Sequence, residues 1–371
     1  MLITSHFDSG NIEVLKADSP KDVRLAIKRD AESEFLQWFH FRVSGVLGQP
    51  LSITIENAGD AAYVEGFDDY RVCVSYDREH WFRLDTVFQA GKLSWQIEPA
   101  YDSLYFAYFA PFSMERHLDL VATAALDERV STEVLGHTID GQDIDLLTVG
   151  TGEKKIWLAA RQHPGETMAE FWMEGALEKL LDYDDPVAKS LLEKATFYIV
   201  PNMNPDGSMR GHLRCNAVGI NLNRVWAAPS LQTSPEVYLV RQKMHETGVD
   251  FHLDVHGDEA LPYCFIAGYE GIPSLTEEHL AKLHHYKDIL ETISPDFQTE
   301  FGYDLDPPKS SDLKKCTDYI AETFGCLAMT LEMPFKDNAN AVDDVFGWSP
   351  ERSRHLAKAC LDALYQMIDD L

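Results

Sequence analysis

The chain has 371 residues, 45% hydrophobic and 25% charged, the balance of an ordinary globular protein long enough for two domains. Its 61 acidic side chains against 32 basic ones leave a formal charge of −29, which argues against nucleic acid or an anionic membrane surface as the main partner. Six scattered cysteines without a CxxC pair, no signal-like opening segment and no run near the ~18 apolar residues of a membrane span predict reduced thiols in a soluble, cytoplasmic protein.

Residues 1–125 read as β structure. Trp38–Gly45, Leu51–Asn57, Tyr70–Asp77, Trp81–Phe88, Leu93–Pro99 and Leu104–Phe112 alternate or are rich in aromatics, and turn residues such as Gly48-Gln49-Pro50 separate them. Short strands at close spacing, with no helical period between them, predict an all-β, sandwich-like domain. The rhythm changes after Arg116-His117. Ser131–Gly150 reads as a hairpin, followed by strand 156–160, helix 167–182, strand 196–200 and a long loop 201–234. Then come helix 235–246, strand 250–256, helix 275–292, a helix near 311–324, strand 327–333 and helix 350–368. That order predicts, over residues 126–371, an α/β catalytic domain with a mixed, mostly parallel sheet flanked by helices.

Within it, Ile156–Leu181 (IWLAARQHPGETMAEFWMEGALEKLL) begins as a buried-strand run, breaks at Pro164-Gly165 and resumes with Met168, Phe171, Trp172, Gly175 and Leu177 at helical spacing. His163 and Glu166 stand at the break, where a turning backbone can bring an imidazole and a carboxylate to one ion. The carboxyl end of a strand leading into a helix is also where open α/β sheets place their chemistry. The HxxE pattern occurs twice, at His163/Glu166 and His256/Glu259. With 14 histidines about one match is expected by chance, so either alone reads as a surface i,i+3 pair or a satisfied histidine. Context separates them, because His256 ends the strand FHLDVH while Glu259 falls in the loop beyond. One histidine at each of two strand ends plus Glu166 makes three ligands, the number that leaves catalytic zinc an open position. His252 and Asp254 share a face with His256 and read as core or surface residues, with support of His256 as the sharper alternative.

The loop Val200–Trp226 is polar and glycine-rich. Arg210, Arg214 and Arg224, with Asn202, Asn204, Asn221 and Asn223, make it a concentration of hydrogen-bond donors, and an arginine fork suits a carboxylate ligand. Glu332 lies in the apolar strand CLAMTLEMPF, where a charge needs a partner or a purpose. It is a candidate general base, or else half of a structural ion pair.

With His163-Pro-Gly-Glu166, Asn223-Arg224, His256 and Glu332 in this order, the chain resembles the zinc metallocarboxypeptidases of the carboxypeptidase A clan. ARQHPGE, PNMNPDG, LRCNAVGINLNR, DVHGD and TLEMPF resemble the cytosolic carboxypeptidase branch in its bacterial form, and Trp38–Ser44 and Leu104–Tyr108 resemble that branch's N-terminal β domain. The resemblance implies one zinc ion per chain on His163, Glu166 and His256. It also implies a peptide or protein C-terminus as substrate, its carboxylate held by Asn223 and Arg224 and its scissile carbonyl polarised by Arg214. Glu332 would activate the metal's water and pass the proton to the leaving amine. Asn221 departs from the family's aspartate beside a ligating histidine, which lowers the charge available to that histidine. Tyr303 and Tyr319 are both candidates for the family's mobile tyrosine. Lys314 and Lys315 are nearest to the basic residue of deglutamylating relatives, although a solvated helix face suits them, so a preference for C-terminal Glu or Asp is an expectation. The rival readings are an amidohydrolase that deacylates small N-acyl amino acids and an inactive binding module of the same fold. Self-association is left open.

Overall fold

A computed structural model describes residues 1–371. Ten strands come first: β1 (Leu2–Thr4), β2 (Glu13–Lys16), β3 (Val23–Ala26), β4 (His40–Ser44), β5 (Leu51–Ile55), β6 (Val72–Ser75), β7 (Phe82–Leu84), β8 (Thr86–Gln89), β9 (Lys92–Ile97) and β10 (Ser103–Ala107). They form two five-stranded sheets, β1-β4-β10-β6-β7 and β2-β3-β5-β9-β8. The alternation in the sequence is the reason: in β5, Leu51, Ile53 and Ile55 are buried while Ser52 and Thr54 are not. Phe41, Trp95 and Phe106 close the aromatic core, with ring centres 5.3 Å (Phe41–Phe106) and 5.5 Å (Trp95–Phe106) apart.

Three features of this half differ from expectation. Strands β1 to β3 went unread, because they have only three or four residues each and β2 is exposed throughout. The run Trp81–Phe88 is not one strand but two, β7 and β8, in different sheets. Thr86 Oγ1 makes the corner, accepting from Val72 N at 2.9 Å and donating to Leu84 O at 2.9 Å. The β text also stops short of Ala125, because helix α1 occupies Met114–Ala124, capped by Ser113 at Arg116 N.

Thereafter the elements are β11 (Val130–His137), β12 (Asp143–Val149), β13 (Lys154–Ala160), α2 (Met168–Leu180), α3 (Pro186–Lys194), β14 (Ala195–Val200), α4 (Pro205–Arg210) and α5 (Pro235–Thr247). They continue as β15 (Phe251–Asp258), β16 (Phe265–Ala267), α6 (Glu277–Ile293), α7 (Cys316–Phe324), β17 (Leu327–Pro334) and α8 (Pro350–Met367). The seven strands form one mixed sheet in the order β11-β12-β14-β13-β15-β17-β16. The central four are parallel, and the β11-β12 hairpin and β16 add antiparallel edges. Helix α3, the short edge strand β16 and α4 were not expected. The last breaks the supposed loop 201–234 because Asn204 caps it, Pro205 opens it and Gly211, at φ +71°, ends it. Helix α2 packs so closely on α8 that a Cβ at Gly175 would stand 2.4 Å from Arg354 O.

The two halves share one apolar cluster of 91 buried residues. Tyr108 stacks on Phe335 with ring centres 4.7 Å apart, and buried Arg83 donates from β7 to Phe335 O at 2.7 Å. The chain leaves β13 for β14 on one side, then passes back beyond β13 to β15 on the other. The carboxyl ends of β13 and β15 therefore flank a switch point, where such sheets open a crevice.

Candidate active site

His163 and Glu166 lie in the turn between β13 and α2, and that turn is held from below. Arg161, in the left-handed region at φ 61°, sends its guanidinium to Pro164 O (3.0 Å), Phe112 O (2.9 Å) and Glu170 (2.6 Å). A left-handed arginine is strained, and these bonds keep it there. His256 comes from β15, directly beside Glu332 of β17 in the sheet register.

These segments bring three donors to one point. Glu166 Oε1 is 2.6 Å from His163 Nδ1, Glu166 Oε2 is 2.7 Å from His256 Nδ1, and the two Nδ1 atoms are 3.2 Å apart. All three side chains are buried. Two nitrogens bound tetrahedrally at zinc's usual ~2.05 Å would stand about 3.3 Å apart, so the donor set and its spacing fit zinc with a fourth position open. The far nitrogens are also engaged. His163 Nε2 faces Asn221 Oδ1 at 3.1 Å, and His256 Nε2 stands 2.9 Å from Asp254 Oδ2, which Gln162 holds at 2.5 Å. Asp254 is thus within ion-pair distance of His256, whereas both ring nitrogens of His252 are buried without a partner. Burial, with Arg214 adding to it, lowers the His163 pKa to about 4, so the ring is a neutral imidazole. Burial would lift the Glu166 carboxyl, but His163 and then His256 hold it below the usual carboxylate range.

Around this point lies a cleft of about 470 Å³ whose walls include His163, Glu166, Arg214, Asn223, Arg224 and Glu332. A larger cavity, about 850 Å³, lies between β6–β7 and α1–α2 and contains none of these six. One Glu332 oxygen is buried without a protein partner; the other stands 3.2 Å from Tyr303 OH, whose proton has its shorter contact, 2.6 Å, with Asp258. Burial pushes the Glu332 carboxyl well above its ordinary pKa; His256 opposes this, while Glu166 and Asp258 reinforce it. Tyr303 therefore lines the cleft. Tyr319 does not, and instead packs on Trp226 and meets His245 Nε2 at 3.0 Å.

The loop residues divide. Asn223 Oδ1 accepts from Cys316 N at 2.8 Å, which leaves its Nδ2 as the donor for the cleft, and Arg224 stands exposed at the rim. Arg210 is elsewhere, paired with Asp140 at 2.7 Å. Asn202 and Asn204 are structural, bound to Glu170 and to Gln162 O. Glu259 lies just beyond β15, as expected, but it is buried and lines the cleft outside the three-donor set, its carboxyl raised by burial and then by Glu166. Lys315 lines the cleft too, against the solvated-face expectation, while Lys314 is exposed. Sequence reasoning missed Tyr63, a cleft residue from the N-terminal half. No local motif marks it, since it lies 100 residues before His163 in the chain. All six cysteines are free and buried.

Residues 114–359 match the zinc carboxypeptidase family and residues 3–109 match the cytosolic carboxypeptidase N-terminal domain. The chain therefore belongs to the zinc carboxypeptidase family, and it is a peptide hydrolase of the metallocarboxypeptidase class. The solved metallo-carboxypeptidase of Burkholderia cenocepacia is 46% identical with a TM-score of 0.97, covering 100% of this chain and 99% of its own. That of Pseudomonas aeruginosa, in complex with (2-guanidinoethylmercapto)succinic acid, is 43% identical with a TM-score of 0.98 at the same coverage. Cytosolic carboxypeptidase 6 of Caenorhabditis elegans is 25% identical over 90% of this chain and 79% of its own length. The chain spans only 25% of human cytosolic carboxypeptidase 1, to which it is 28% identical. No helix is long and apolar enough to cross a membrane.

Proposed function

We propose that this chain removes C-terminal residues from peptides or proteins, with His163, Glu166 and His256 holding one zinc ion and Glu332 moving the protons. The observation that supports it most is the single cleft that gathers His163 and Glu166 with Arg214, Asn223, Arg224 and Glu332, with His256 Nδ1 2.7 Å from Glu166 behind its wall. When bound, zinc supplies the positive charge that acidifies water and lowers the pKa of carboxylates beside it. Asn223 Nδ2 and the Arg224 guanidinium pair with the free carboxylate of the chain end and so set which peptide bond is presented. Arg214 offers its cation to the carbonyl oxygen as charge develops there. Glu332 takes a proton as the water oxygen bonds to the carbonyl carbon, then returns it to the nitrogen as the C–N bond breaks. The products are a shortened chain and a free amino acid. Tyr303 OH steadies Glu332 between these steps.

For the side chain removed, we propose Glu or Asp. Lys315 is the cation of the cleft apart from the two arginines, but Asp306 at 3.0 Å and Asp318 at 3.4 Å already draw its ammonium, so the preference should be modest. The ligand of the Pseudomonas aeruginosa neighbour joins succinic acid to a guanidinium, so basic C-termini belong in the assay beside acidic ones. We also propose a cytoplasmic setting and a domain junction at 110–113, earlier than Ala125, supported by the two family matches and the start of α1.

The test is metal analysis of the purified protein, then incubation of it and a Glu332→Gln variant with a mixed peptide library and N-acyl amino acids, reading released residues by mass spectrometry. Stoichiometric zinc in both, with C-terminal release slowed about 10²–10⁴-fold in the variant, is the expected result. No zinc after reconstitution sinks the peptidase and the amidohydrolase together. Turnover confined to N-acyl amino acids makes the chain an amidohydrolase.

A further inference from the structure

Arg214 stands in a turn that the catalytic half does not hold by itself. Asp30, 3% exposed and part of the N-terminal half, accepts three successive backbone N–H groups from that turn. Its Oδ1 takes Leu213 N at 2.7 Å, and its Oδ2 takes Arg214 N at 2.7 Å and Cys215 N at 2.9 Å. Ala31 N donates to His212 Nε2 at 3.1 Å, which puts the imidazole proton on Nδ1, where it donates to Cys215 O at 2.9 Å and closes the same turn. Ser9 N and Asn11 Nδ2 bind Met209 O and Gly211 O, both at 2.9 Å.

The guanidinium is framed from the same side. Its carbon lies 5.7 Å from the Phe35 ring centre and 5.3 Å from that of Tyr63, so two aromatic faces flank it. Phe35 is placed by the turn that begins at Asp30, whose N–H donates to Phe35 O at 2.8 Å. Tyr63 is placed by Gln37, which binds its N–H and its C=O, each at 2.9 Å. A carboxylate receiving three N–H groups is a charge-assisted clamp, and it fixes the direction in which the Arg214 side chain leaves the backbone.

We propose that Asp30 is a positioning residue for the reaction: through the backbone of residues 213–215, and with Phe35 and Tyr63, the N-terminal half aims Arg214 at the scissile carbonyl. This rests on the carbonyl-polarising role given to Arg214 above. The N-terminal half is on this view part of the catalytic apparatus. An asparagine at position 30 would present one acceptor and one NH2 donor to three donors, so at least one backbone N–H would lose its partner and the turn would shift. A displacement near 1 Å of a group that stabilises developing charge costs about 10²-fold in rate.

The test measures kcat, KM and zinc content for wild type, Asp30→Asn, Arg214→Ala and the double variant, with Phe35→Leu as a milder second probe should Asp30→Asn fold poorly. The expectation is a kcat reduced about 10²-fold by Asp30→Asn, with KM and zinc content nearly unchanged and no further loss when the substitution is added to Arg214→Ala. Phe35→Leu should show the same dependence on Arg214 with a smaller loss. Two results overturn the inference alone: Asp30→Asn or Phe35→Leu acting fully in the Arg214→Ala background, or Asp30→Asn raising KM or losing zinc while kcat holds. If Arg214→Ala itself leaves kcat intact, the role of Arg214 falls and this inference falls with it.

Discussion

Replacing Asn221 by aspartate is expected to tighten zinc binding about tenfold, and replacing it by leucine to weaken binding about 10- to 100-fold. Asn221 Oδ1 accepts from His163 Nε2 at 3.1 Å and from Asn223 N at 3.0 Å, so one amide oxygen orients the ring of His163, proposed above as a zinc ligand, and opens the short helical turn Leu222–Arg224. An aspartate keeps both acceptor positions and adds charge. Hydrogen bonds to charged groups contribute roughly 1.5–3 kcal/mol against roughly 0.5–1.5 kcal/mol for neutral ones, a mid-range gain of about 1.25 kcal/mol, close to one decade in affinity. A leucine removes the acceptor from both donors, so the carboxylate grip proposed for Asn223 should loosen as well and KM should rise. Competition titration of the metal-free protein against a fluorescent zinc chelator, at fixed pH and salt, measures each affinity. Affinities within a factor of about two across the three proteins, or an aspartate weaker than the asparagine, would refute this account of second-partner control.

Glu166→Ala should lose zinc on dialysis while Glu259→Ala keeps it, as read by metal analysis; the reverse would show that the wrong HxxE glutamate has been assigned. His117 sits between Glu170 at 2.6 Å and Asp145 at 3.3 Å, and although burial opposes it, these carboxylates raise its pKa to about 9. A pKa raised on folding contributes stability that is fully present below about pH 6.5 and lost as pH rises through 9, up to about 3 kcal/mol. Thermal melts from pH 6 to 10 should therefore show a steeper fall of Tm for wild type than for His117→Gln, and parallel curves would contradict the ion network. Gly219 has φ +78°, and a Cβ there would stand 2.3 Å from Glu32 O, so Gly219→Ala should cost about 1–3 kcal/mol in urea unfolding; an unchanged midpoint would mean that the contact between the halves gives way easily. Lys315→Ala should lower kcat/KM for C-terminal Glu more than for C-terminal Leu, and equal losses would remove Lys315 from side-chain selection.

Much of the fold was legible because its signals are local. The strand–break–helix text of Ile156–Leu181, the terminal histidine of FHLDVH and the apolar frame of Glu332 each depend on residues within a few positions of one another. They placed the mixed sheet and named His163, Glu166 and Glu332, three of the residues that line the cleft. Helix α1 carried a readable cap, Ser113, that the aromatic β text before it obscured, and strands of three or four residues carry too little period to read.

The rest depends on distances that no local pattern encodes. Sequence alone could leave Tyr303 and Tyr319 equal and Lys315 on a solvated face. Tertiary packing separates the tyrosines and turns Lys315 into the cleft. It also buries Glu259, for which the sequence showed only a place in a loop, and it joins Asp30 to a turn more than 180 residues later. Residue type and spacing determined which groups could bind a metal, accept a proton or hold a carboxylate, because those capacities belong to the side chains. Only the packing of one half of the chain on the other decided which of them meet, because burial and the direction of a side chain are properties of the surroundings it folds into.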